Sequence, residues 1–156
     1  MTAKAEFNAE EWDAVVGAPL LGAMLVIAAD KGGSVRETLA VARAYAAARE
    51  THDGELMSAV LASGPAAGGS AKGIEREDLG RAASAALREA IAILERVATA
   101  QEVVEYKRFA YALAESAARA HGEGGLLRRG ASDISEAEQA ALDAIAAVFD
   151  EGVPPA

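Results

Sequence analysis

The chain has 156 residues, with 15 basic and 24 acidic side chains, a net charge of −9, no cysteine, and 52 % apolar but only 4 % aromatic residues. That length suits one domain able to bury about two-thirds of its unfolded surface, and the missing cysteines exclude a disulfide framework, a thiolate zinc site and a cysteine nucleophile. The acidic balance repels phosphate backbones and anionic bilayers, so neither nucleic acid nor a membrane is expected as a partner.

Alanine supplies much of the apolar fraction, and alanine loses no side-chain entropy in a helix. No segment alternates with period two over a useful length, so no strand is predicted. The expectation is an all-α fold: a compact bundle of about five to seven helices forming a single domain over residues 1–156. The N-terminus carries Glu6, Glu10, Glu11 and Asp13 where a secretory signal would start basic and continue apolar. A cytoplasmic location follows as an expectation.

Helix starts are marked by Ser, Thr or Asn followed three residues later by Glu, the capping box in which two orphan backbone donors are satisfied reciprocally. The pattern stands at Asn8/Glu11, Ser34/Glu37, Thr99/Glu102 and Ser135/Glu138. A first helix begins near Ala9 and is expected to break or kink near Gly17 and Pro19, since proline cannot donate an interior helical hydrogen bond. The stretch from Ala14 to Ala29 lacks charge but is shorter than the roughly 20 residues of a membrane span. Residues 19–29 are apolar all round, which places them at the centre of a bundle.

Asp30, Lys31, Gly32 and Gly33 end that segment, and Ser34 opens a helix to about Glu50. A short helix over residues 55–62 follows, then a glycine-rich stretch, SGPAAGGSAKG, predicted to be a flexible loop over residues 63–73. Leu79, Ala83, Ala86, Leu87, Ala90, Leu94 and Val97 step by three and four, the mark of an amphipathic helix. Its apolar stripe, around residues 82–97, is also a candidate to extend into an interface. The helix over residues 102–120 is expected to bury Val103, Tyr106, Ala110, Leu113 and Ala117. The helix over 136–150 should bury Ala141, Leu142, Ile145, Val148 and Phe149, before a frayed tail at 151–156. Residues 18–48 and 109–149 share one order of parts: apolar helix, glycine-bearing break, capping box, second helix. Two pseudo-repeated helical hairpins around the central apolar helix would account for it.

The span from Tyr106 to Phe149, with the segments KRFAYALAESAARA, HGEGG and ISEAEQAALDAIAAVF, resembles the tellurite-resistance TerB-like helical domains. In that family an alanine-rich helix runs into an acidic, glycine-bearing loop and then a helix opening in Ser-x-x-Glu. APLLGAMLVIAADKGG with SVRETLAVA looks like a second copy of the unit. The first loop reads Asp30-Lys31-Gly32 where the family has Asp-Gly, and the second carries Gly122-Glu123-Gly124 with a longer insertion. The resemblance implies an all-helical, stress-linked module whose relatives include acidic metal-binding loops.

Two functional readings stand beside each other. One is a non-enzymatic binding or scaffold module that acts through a protein partner or self-association. The loop over 121–134 is long for a bundle connection, usually two to eight residues, and offers Leu126, Leu127, Arg128 and Arg129 as apolar anchors beside guanidinium groups. The alternative is a divalent-cation site using Glu123, Asp133 and Glu136, because hard cations take several oxygen ligands from one loop. A purely structural loop is the competing explanation, since carboxylates near a helix N-terminus are favoured by its dipole. No cofactor is expected apart from that cation. Catalysis is not expected either: there is no Gly-x-Ser-x-Gly, phosphate loop or His-Glu-x-x-His. The two histidines, His52 and His121, lack the Glu-x-x-His spacing of di-iron bundles.

Overall fold

Capping chemistry sets the helix starts. Asn8 and Glu11 exchange hydrogen bonds of 3.0 and 2.9 Å, Thr99 and Glu102 do so at 2.9 and 3.3 Å, and Ser135 and Glu138 at 2.9 and 3.2 Å. Three of the four predicted boxes are therefore formed; Ser34 of the fourth lies outside the described residues. The computed structural model describes residues 1–29, 35–64, 73–122 and 134–151. Among the described residues six α-helices follow in order: α1 (Ala9–Ala29), α2 (Val35–Thr51), α3 (Glu55–Ser63), α4 (Leu79–Val97), α5 (Ala100–Gly122) and α6 (Glu136–Asp150), with a 3₁₀ turn at Lys4–Glu6. No strand occurs among the described residues. The all-α expectation holds. The stretch predicted as a flexible loop lies mostly outside the described residues, as does the tail beyond Glu151.

The predicted break in the first helix does not occur: α1 is helical through Gly17 and Pro19. Proline at position 19 removes the donor that would bond the Val15 carbonyl one turn earlier. The buried Tyr106 hydroxyl on α5 donates to that carbonyl at 2.7 Å instead. The carbonyl that proline leaves without its helical donor is thus satisfied by a side chain 91 residues away in sequence.

Helix α1 forms the middle of the bundle, packing mainly on α4 and α5 and also on α6. By length and composition it could also cross a membrane. Half of that apolar window is buried inside the bundle, with Val15, Val16, Ala18, Leu21, Ala23 and Val26 inside. Leu20, Met24, Leu25 and Ile27 are half-buried, so the apolar-all-round segment is covered less evenly than its composition suggested. Helix α2 lies on α5, and α3 closes against α2, α1 and α5. Helix α6 packs on α1, α4 and α5 together. Helices α2 and α6 each bury the glutamate at the third position of their opening turn, Glu37 and Glu138, each 1 % exposed.

The N-terminal residues are tied down by one carboxylate. Glu102 accepts from the Thr2 backbone N–H at 2.9 Å and hydroxyl at 2.8 Å, and from the Thr99 N–H and hydroxyl at the start of its own helix. Desolvation works to raise its pKa, but the hydrogen bonds from Thr99 and Thr2 together bring it from 4.5 down to about 2. A depressed folded-state pKa stabilises the fold above the unfolded value, and that stabilisation is lost as pH falls through the folded one. Glu102→Gln is therefore expected to lower the melting temperature at neutral pH, by the equivalent of about 1 kcal/mol, as for a lost cap. The gap to wild type should narrow between pH 4.5 and about 2. Thermal melts across that range check it; a gap that stays constant would mean the carboxylate is not held in its charged form.

Candidate functional site

Helix α2 has two apolar stripes. Val41, Tyr45 and Ala48 point inward with Glu37. Val35 and Leu39 lie one turn apart on another side of the same helix and remain 84 % and 46 % exposed. Arg36 and Arg43, two turns apart and also exposed, bracket Leu39 and Ala40. These four residues and Ala120 of α5 line an open groove of about 480 Å³. Its described lining carries two guanidinium groups and no carboxylate, although acidic side chains outnumber basic ones across the chain.

Two contacts fix α2 to its neighbours. Arg49, at the C-terminal end of α2, donates from Nε to the Leu61 carbonyl at 3.0 Å and from Nη2 to the Gly64 carbonyl at 2.5 Å, tying α2 to the end of α3. Tyr45, buried below, meets Phe109 of α5 edge-on with ring centroids 5.3 Å apart. Burial pushes the Tyr45 phenol up to about 12, outweighing the opposing effect of Arg49. The phenol is neutral at working pH. A groove of this kind, open on one side with an apolar floor and cationic rims, presents a docking surface rather than an enclosed ligand cavity.

The outer face of helix α6 is acidic. Glu136, Gln139, Ala140, Asp143, Ala147 and Asp150 are all exposed, and their spacing of three, four and seven places them along one stripe. Gln139 donates to Asp143 along it at 2.8 Å.

Of the residues proposed for a cation, Glu136 lies exposed in the first turn of α6; Glu123 and Asp133 lie outside the described residues. So do Leu126, Leu127, Arg128 and Arg129. No group of three or more histidine, aspartate or glutamate side chains able to hold a metal occurs among the described residues. His52 is half-buried, with Nδ1 3.0 Å from the Ala48 carbonyl and its ring edge-on to Phe109. The α4 stripe is consumed by the core, where Leu87, Ala90, Ile91 and Leu94 are buried. Trp12 is buried beside Phe7, with Lys4 over its ring.

The groove residues Arg36, Leu39, Ala40 and Arg43 were not among the sequence candidates. The readable signal was Val35 and Leu39, apolar but out of phase with the Val41, Tyr45 and Ala48 stripe. The fold and this surface define an all-helical bundle with a charged, partly apolar outer face. No protein-family model, curated protein or solved structure matches the chain.

Proposed function

We propose that the protein is a non-enzymatic helical binding module of TerB-like type, which engages a protein partner through the outer face of α2. The observation that carries this reading is the groove lined by Arg36, Leu39, Ala40, Arg43 and Ala120. An apolar side chain left 46 % exposed between two arginines provides both an anchor and a rim. Apolar anchors supply most of the affinity in such contacts, and surrounding charges set orientation and partner choice.

The test is an NMR titration with a designed amphipathic helical peptide, carrying glutamates two turns apart around an apolar stripe. Chemical-shift changes are expected at Leu39, Ala40, Arg43 and Ala120, and they should disappear in Leu39→Asp and Arg43→Glu variants. If peptide up to about 1 mM, the weak end of specific affinity, left those signals in place, the docking reading would fail.

A further inference from the structure

We infer that the outer face of α2 pairs with the same face of α2 on a second copy of this chain, antiparallel about a two-fold axis. The inference rests on the docking reading of α2 and names its occupant. Val35, Leu39, Ala42 and Ala46 are all exposed, and their spacing of four, three and four is the repeat of a two-helix seam. At about 100° per residue they fall within an arc of about 60°, away from the side on which Glu37, Val41, Tyr45 and Ala48 enter the bundle. Among the described residues the exposed large apolar side chains are Met1, Val35, Leu39 and Val104, so two of these four stand on one stripe. Exposed alanines elsewhere, such as Ala85 and Ala92 on α4, have no exposed large apolar residue on their helix.

The stripe carries its own complement. The step from Val35 to Leu39 equals the step from Ala42 to Ala46. In an antiparallel pair Val35 therefore falls level with the partner's Ala46, and Leu39 with the partner's Ala42. Each large side chain then meets a methyl group, and the alanines let the axes approach to the short end of the roughly 8–10 Å range of packed helices. A parallel pair would set Val35 and Leu39 against their own copies and leave alanine facing alanine at the other end. It would also bring together the two copies of Arg49, which stands three residues beyond Ala46 and is exposed. The antiparallel pair carries them to opposite ends, and like charges in contact discriminate strongly between registers.

Both copies use the same patch, so the contact is isologous and closes as a dimer. A seam of this size offers far fewer residues than the roughly 20–30 a side of a standard interface, so the dimer is weak and reversible. Each copy carries a net charge of −9, and salt screens the repulsion between them. Association through an apolar seam is therefore expected to strengthen with added salt, whereas an acidic peptide held by Arg43 would be released.

Sedimentation and light scattering at rising concentration are expected to show monomer and dimer without larger species. Ala42→Gln with Ala46→Gln places amides where the partner's Leu39 and Val35 must sit, and should lower the association constant at least about tenfold. Both positions are exposed and glutamine is a good helix former, so circular dichroism should show unchanged helix content. Neither residue lines the groove, so the designed peptide should still bind this double variant. Wild-type protein that stayed monomeric at millimolar concentration, a double variant that associated like wild type, or a dimer that salt dissociated would each overturn the inference. Peptide binding to α2 by a protein that remained monomeric would overturn the second copy while sparing the docking reading. The chain contains no cysteine, so introduced thiols report direction: Val35→Cys mixed with Ala46→Cys should cross-link, and neither should alone. In the antiparallel pair the two copies of position 46 stand about 16.5 Å apart along the axis, beyond the roughly 7 Å between Cα atoms that a disulfide tolerates. A cross-link in Ala46→Cys alone would show the parallel pair and overturn the antiparallel one.

Discussion

Replacing Tyr106 with phenylalanine is expected to destabilise the protein by about 1–3 kcal/mol, the usual consequence of stranding a buried hydrogen-bonding group. The group stranded is the Val15 carbonyl, which has lost its helical donor to Pro19 and is bonded by the Tyr106 hydroxyl at 2.7 Å. Both tyrosine and proline are buried, so water does not readily replace the missing donor. Burial, and secondarily Tyr45, raises the Tyr106 pKa well above its ordinary value, so the phenol stays a donor at any working pH. For a chain of this length each kcal/mol corresponds to about 2–4 °C in melting temperature.

The same mechanism predicts how the effect can be suppressed. Pro19→Ala returns an N–H to the helix one turn beyond Val15 and supplies the carbonyl with an ordinary partner. In that background Tyr106→Phe should cost markedly less, giving a positive coupling in a double-mutant cycle. The cycle separates this coupling from whatever else Pro19→Ala does by itself. An equal loss in both backgrounds would mean that the hydroxyl does not act through the carbonyl that proline strands and that the Val15 carbonyl is satisfied in another way.

Adding one methyl group at two glycines is expected to have opposite signs. At Gly64 a Cβ would stand 2.9 Å from Cε1 of Tyr45 and 3.4 Å from its hydroxyl oxygen. The ring is fully buried and held against Phe109, so it cannot swing away, and the backbone there is also held by Arg49. Overpacking of this kind is worth about 1–3 kcal/mol of destabilisation. At Gly22 a Cβ would meet Ile145 and Leu87 side-chain methyls at 3.5 and 3.6 Å, which is ordinary contact. Gly22→Ala removes a flexible residue from the interior of α1 and should stabilise by about 0.5–1 kcal/mol. Chemical denaturation of both variants gives the result directly. A Gly64→Ala protein as stable as wild type would mean that the joint between α2 and α3 yields easily, and the docking face above it would then not be preorganised.

What the chain determines by itself is local. Asn8/Glu11, Thr99/Glu102 and Ser135/Glu138 mark helix starts because donor and acceptor lie three residues apart, within reach before any tertiary contact forms. The stripes of α4, α5 and α6 were legible for the same reason, since a helix repeats its inward face every three or four residues. Of the seven apolar residues that step by three and four along α4, all but Ala86 and Val97 are buried, and those two are half-covered at its margin. The functional face was legible only in part. The apolar residues of α2 could be counted from the sequence, but which of its two stripes would meet α5 could not.

Tertiary structure decided the features whose partners are remote. Pro19 reads as a helix break because its effect on its own turn is unfavourable, whereas in the fold Tyr106 from α5 supplies a donor to the carbonyl that proline leaves unpaired. Glu102 reads as a cap, yet it also holds Thr2 across 100 residues. Leu39 is left outward, between Arg36 and Arg43, because Val41 and Tyr45 occupy the contact with the bundle. A helix can turn only one face to its neighbour, and the packing of α2 on α5 chose which.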